Sequence, residues 1–244
     1  IKTLDTADAY GNATELLGNY NNSNFSPFLI NTKFNKSDLS IQKQLEVSLN
    51  SLKINQINTY FYHSFDDFKL FPEILFELIE LKEQNRIKKI GVSVYGNSEF
   101  QLAIDTIEID VIQLPFNLLD NLSQRGKLIE EAKTKGKEIQ VRSVFLQGLF
   151  FKNTKQLPNS IKSLKPYLEE ILIIAKEANI PIENLALQYA LQYKEIDNVI
   201  IGVDNVEQLE RNLSFSNIKL PSEVVKAINK INVKETELLY PKNW

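Results

Sequence analysis

"IKTLDTADAYGN", residues 1–12, decides the fold class through the turn that ends its apolar run. The run closes on Asp5, and the turn behind it carries Tyr10 and Gly11 rather than a glycine-rich phosphate loop. A doubly wound nucleotide-binding sheet places G-x-G-x-x-G after its first strand, and that pattern occurs nowhere in the chain. Outward from this stretch, strand-like and helical runs alternate along the whole length. Strands are expected at Lys2–Ala7, Phe28–Lys33, Thr59–His63, Lys89–Val94, Val111–Pro115, Ile139–Val144 and Val199–Gly202. Between them, "SIQKQLEVSLNSLKI", "EILFELIELKEQNRI" and "RGKLIEEAKTKG" repeat apolar residues at helical spacing. Asp38 and Ser40 are candidate N-caps before the first of these. Strict alternation of the two kinds implies a parallel sheet with helical crossovers.

The strand ends then separate a barrel from an open sheet. Asp5, Lys33, His63, Ser93, Gln113 and Ser143 each close a mostly apolar strand, about one βα unit apart. Alternation puts Thr3 and Asp5 on one face, Asn31 and Lys33 on one face, and Thr59, Phe61 and His63 on one face. Polar side chains at the C-terminal mouth of successive parallel strands are the working rim of a (β/α)8 TIM barrel. The fold class expected is therefore α/β, a (β/α)8 barrel with seven strands in this chain, residues 1–244 forming a single N-terminally incomplete domain. The missing strand and helix are expected before Ile1, and the absence of any methionine agrees with a chain lacking its natural start. Exposed parallel edges invite association, so a chain lacking that unit is expected to fold poorly or bind cofactor weakly.

Composition narrows the function. The 244 residues are 43% hydrophobic and 24% charged, with a formal net charge of -3, so no basic field points to nucleic acid. No apolar run reaches the roughly 18 residues that span a bilayer. There is no cysteine and one histidine, His63, which leaves almost no ligands for a zinc site and fits a reducing, cytoplasmic compartment.

Asp5, Tyr10, Lys33 and His63 can work together. A lysine in a barrel mouth is costly unless a partner keeps it charged, and Asp5 on the neighbouring strand is the natural partner. A cation beside the Tyr10 hydroxyl favours tyrosinate and makes the phenol a usable general acid. His63 can donate a hydrogen bond that orients a carbonyl oxygen. Taken singly, each has a plain structural role: a turn cap, a packed ring, a solvated lysine, a satisfied histidine. Their placement on one rim in consecutive units makes the joint reading the stronger one.

These residues resemble the aldo-keto reductase family. "LDTADAYGNATELLG" is similar to its Asp-x-Ala-x-x-Tyr-Gly segment with trailing Glu-x-x-Leu-Gly, "NTKF" to its lysine strand, and "TYFYHSFD" to its histidine strand. "IGVSV", "IQLPFNLLD", "VRSVFLQGL" and "IIGVDNVEQLERNL" come after them in family order. The resemblance covers essentially the whole chain. It implies an NAD(P)H-dependent reductase of aldehydes or ketones, with Tyr10 as proton donor, Lys33 and Asp5 as its tuning pair, and His63 as substrate orienter.

It also implies a cofactor site. Ser93 and Gln113 fall where the family holds the nicotinamide carboxamide, Ser143 and Phe145 where it meets the pyrophosphate, and Gly202, Val203, Gln208 and Asn212 at the adenosine-phosphate positions. In barrels generally, phosphate sits against the late loops and a helix N-terminus, and "GVDNVEQLERN" has that place, with Asp204-x-x-Glu207 as a capping-box pair. A well-capped helix is the plainer account of the same residues. The chain departs from the family at Val94, where an asparagine is usual, and at Arg142, where an aromatic often stacks on nicotinamide; a guanidinium also stacks. Gly202 and Gln208 replace the basic residues of many NADPH-preferring members. Arg211 can reach a 2′-phosphate, so NADP is the expected cofactor and NAD the alternative.

The expected substrate is a small carbonyl compound, with "RSVFLQGLF" resembling branches tied to sugar metabolism. Phe150 and Phe151 either line a pocket or staple their loop down, the second being favoured, and Trp244 either closes the site or packs on itself. Two other classes remain: a cofactor-binding regulatory module without turnover, and a barrel lyase using Lys33 as a Schiff base.

Overall fold

The computed structural model describes residues 1–23, 28–215 and 219–244, with Ser23 described by its backbone. The chain divides into two compact units, Ile1–Gln113 and Leu114–Trp244. The first carries β1 (Thr3–Asp5), α1 (Ala13–Ser23), β2 (Leu29–Phe34), α2 (Ile41–Leu52), β3 (Ile57–Tyr62), α3 (Phe65–Leu70), α4 (Glu73–Glu83), β4 (Ile87–Ser93), α5 (Asn97–Asp105) and the opening of β5 (Val111–Pro115). The second carries the end of β5, then α6 (Leu122–Thr134), β6 (Glu138–Arg142), α7 (Lys165–Glu177), α8 (Ile182–Leu191), β7 (Asn198–Val199), α9 (Val206–Ser214) and α10 (Ser222–Ile228). Among the described residues strand order follows the chain from β1 to β7, seven strands as the periodicity predicts. The class is α/β, of the (β/α)8-barrel type.

In the first unit the parallel register places Lys33 opposite Phe61, Phe61 opposite Gly91, and Gly91 opposite Val111. Gly91 is needed there: a Cβ would lie 2.4 Å from the Phe61 ring. On the other face Phe34, Tyr60, Tyr62 and Phe68 form a chain of ring contacts at 4.8 to 5.3 Å centroid separation. Each such buried ring contributes about 1.5–3 kcal/mol. Gly18 lets α1 approach α2 closely, since a Cβ at 18 would fall 1.8 Å from the Ser51 carbonyl oxygen.

In the second unit Phe116 stacks on Tyr189 at 5.4 Å, and Asp120 forms a bidentate pair with Arg125 at 2.6 and 2.8 Å, both side chains buried. Asn121 donates to the Ile228 and Ile231 carbonyls at 3.0 and 2.9 Å, fastening the segment after α10.

Several boundaries differ from the sequence expectation. β3 ends at Tyr62, one residue before His63, although the His63 N–H still reaches the Phe34 carbonyl at 2.9 Å. β6 ends at Arg142 because Ser143 turns to φ 59, which breaks the ladder. Ser40, not Asp38, caps α2, accepting from the Lys43 N–H at 3.4 Å. The expected Asp204–Glu207 capping pair is displaced by one residue. Asn205 accepts from the Gln208 N–H at 2.8 Å, and the Gln208 Oε1 accepts from the Asp204 N–H at 2.9 Å. The shorter Asn205 turn brings its oxygen onto the free N–H groups of α9.

Candidate active site

Asp5, at the end of β1, and Lys33, near the end of β2, form a salt bridge. Lys33 is buried to 1% exposure and also donates to the Thr6 carbonyl at 3.3 Å. A buried ammonium is tolerable only with such partners, so the pair holds its charge and its position together. The Lys33 Nζ lies 5.4 Å from the centroid of the Tyr10 ring and 5.7 Å from that of Phe61. Tyr10 sits on the loop after β1 at 48% exposure, and its ring meets His63 edge-on at 5.8 Å and 84°. The four residues singled out from the sequence therefore lie together in one unit.

Two further residues join them. Gln113, wholly buried, donates its amide to the second Asp5 oxygen at 3.1 Å, so Asp5 is gripped by an ammonium and an amide at once. The resemblance assigns Gln113 to a carboxamide and gives no sign of this contact. Asn35 Nδ2 lies 3.4 Å from His63 Nδ1; donation from that amide leaves the imidazole hydrogen on Nε2. Ser93, at the end of β4, is buried and pairs with Gln113 in the sheet register.

Burial separates Tyr10 from Tyr60 and Tyr62. Loss of solvent, with the nearby Asp8 carboxylate second, pushes the Tyr60 hydroxyl far above the ordinary phenol range. Burial likewise pushes Tyr62 up, aided by Glu73, Glu77 and Asp67. Neither can give up a proton near neutrality. Tyr10 alone of the three lies at the surface beside a cation. Lys33, in turn, is poorly suited to Schiff-base chemistry, because a carboxylate partner keeps on it the proton that a nucleophilic amine must lose.

The remaining candidates lie in the second unit. Ser143, Phe145, Gly202, Gln208, Arg211 and Asn212 line a cleft of about 540 Å³, within the size range of small-molecule sites. Arg142 sits beside it in sequence, its guanidinium 3.4 Å from the Ser143 hydroxyl, while Val203 is exposed and outside the lining. A Cβ at 202 would meet nothing within 4 Å, so the glycine leaves open space on the cleft wall. Phe150 is buried and staples the loop, whereas Phe151 is exposed and faces the cleft with Phe145, their rings 5.9 Å apart. Trp244 donates to the Leu238 carbonyl at 2.8 Å and so packs on its own segment. The Ser143 hydroxyl, the Arg211 guanidinium and the Asn212 amide in this lining are a donor set that fits the phosphates of a dinucleotide.

Residues 1–233 match the family model described as the aldo/keto reductase family. L-galactose dehydrogenase of Arabidopsis thaliana is 27% identical over 192 residues, 74% of this chain and 59% of that protein. The NADH-specific methylglyoxal reductase of Escherichia coli is 25% identical over 203 residues, 76% of this chain and 62% of that enzyme. The chain thus spans about three fifths of the length of these two curated relatives. An aldo-keto reductase from Bacillus halodurans in its holo form has the same fold, with a TM-score of 0.77 at 22% identity, over 97% of this chain and 85% of that one.

Proposed function

The chain belongs to the aldo/keto reductase family, and from that premise we propose that it reduces a small aldehyde or ketone to an alcohol with NADH or NADPH in the cytoplasm. The observation that carries the reading is the Lys33 ammonium, bound to Asp5 and lying 5.4 Å from the ring of the exposed Tyr10 with His63 on its edge. When bound, the reduced nicotinamide supplies the hydride. The Tyr10 hydroxyl gives its proton to the carbonyl oxygen. Lys33 stabilises the charge that builds on the phenol oxygen as the proton leaves. His63, with its hydrogen on Nε2, holds the carbonyl in line. Gln113 holds Asp5 and Asp5 holds Lys33, while in the second unit's cleft Ser143 takes the pyrophosphate and Arg211 and Asn212 the adenosine phosphate. Relatives named for L-galactose and methylglyoxal support a small, polar, sugar-like substrate.

The test pairs cofactor titration by nicotinamide fluorescence with turnover on a panel of aldehydes and sugars. Tyr10→Phe should lower turnover by about a hundredfold or more with cofactor affinity unchanged. Undiminished turnover in that variant overturns the proton-donor assignment. Binding without turnover in the parent chain favours a regulatory module instead.

A further inference from the structure

Three charged side chains line the cleft of the second unit: Glu183, Asp204 and Arg211. Among the described residues none of them stands in a salt bridge. Gln208, between Asp204 and Arg211 in the chain, is bonded into the turn before α9. Its Oε1 accepts from the Asp204 N–H at 2.9 Å, and its Nε2 donates to Asp204 Oδ2 at 3.3 Å. Its own N–H is taken by Asn205 at 2.8 Å. These bonds tie the Gln208 amide to Asp204, a residue of the cleft wall, and leave one Nε2 hydrogen of Gln208 for a ligand.

Two residues bearing carboxylates and one bearing a guanidinium therefore line the space an occupant would take. A 2′-phosphate would bring two further negative charges against them, with Arg211 as the cation of the lining, beside the Ser143 and Asn212 donors, to offset the repulsion. A ribose with free 2′ and 3′ hydroxyls brings two O–H donors instead, and a carboxylate accepts both. Resting on the proposed function, the geometry points to a cleft that selects the unphosphorylated adenosine ribose: the protein prefers NADH, and Asp204 with Glu183 sets that preference. Arg211 taken alone favours NADP, whereas the two acidic residues lining the same cleft favour NAD.

Isothermal titration calorimetry of the purified protein with NADH and with NADPH tests this directly, without any carbonyl substrate. NADH should bind about tenfold tighter or more, the worth of one hydrogen bond to a charged group. Asp204→Asn keeps the contacts to Gln208 but removes the charge, and should narrow the ratio several-fold by strengthening NADPH binding and weakening that of NADH. Glu183→Gln provides the second variant, with a change in the same direction. Equal or tighter binding of NADPH by the parent overturns the inference and leaves the reductase reading standing. An unchanged ratio in both variants overturns the assignment to these two residues. Failure of both cofactors to bind overturns the function on which the inference rests.

Discussion

Replacing Lys33 by methionine removes the cation that is proposed to make Tyr10 an acid, while keeping the buried stem. With the ring-centroid distance of 5.4 Å taken as the charge separation, an ammonium stabilises a phenolate by about 3 kcal/mol at an effective dielectric of about 20. Tyr10 is 48% exposed, and screening reduces this to about 1–2 kcal/mol, or roughly 5- to 30-fold in rate. The variant also leaves the Asp5 carboxylate without its cation, a loss that costs fold stability in its own right. Asp5→Asn combined with Lys33→Met removes the uncompensated charge and separates the two effects. The assay is the loss of nicotinamide absorbance with a saturating aldehyde, alongside thermal unfolding and cofactor titration of each variant. Turnover should fall by the stated factor in both variants, and stability should recover in the double one. A folded Lys33→Met protein within about threefold of the parent rate would refute the role of the cation.

Gly18→Ala forces a methyl to within 1.8 Å of the Ser51 carbonyl oxygen, so α1 must move off α2 at a cost of about 1–3 kcal/mol; a urea midpoint equal to the parent's would contradict this. Arg125→Met leaves Asp120 as a buried carboxylate without its partner, and should cost about 3–5 kcal/mol in calorimetric stability, with Asp120→Asn in the same chain restoring most of it. Loss of solvent raises the Asp8 carboxyl above its ordinary value of 3.8, against the pull of the Ser48 hydroxyl. The stability linked to this group is therefore full in acid and lost as pH rises through the folded value. Asp8→Asn should be more stable than the parent at neutral pH and equal to it in strong acid; a parent more stable at neutrality would reverse the sign.

Much of the site is legible in the chain alone. Asp5 and Lys33 end neighbouring strands, so alternation and parallel pairing bring them to one rim. Tyr10 lies five residues past Asp5, within reach of the same place. Gln113 could not be placed against Asp5 in this way, because β5 and β1 are not neighbours in the sheet, and the contact depends on strand tilt and side-chain rotamer. The cap at α9 falls one residue from its expected position for a similar reason: Asp204 and Asn205 are both good caps, and the choice between them turns on a local difference of about a kcal/mol or less.

By itself the sequence determined the strand and helix order, the polar rim and the residues on it, since hydrophobic period and chain spacing act locally and add up over many residues. Only the tertiary structure decided that Gln113 grips Asp5, that Ser143 turns left-handed and ends β6, that Phe150 is buried while Phe151 faces a cleft, and that Glu183 shares that cleft with Asp204 and Arg211. Each of these depends on one dihedral angle, or on the meeting of side chains distant in sequence. No periodicity records either one, because the energy that selects it comes from neighbours the fold itself supplies.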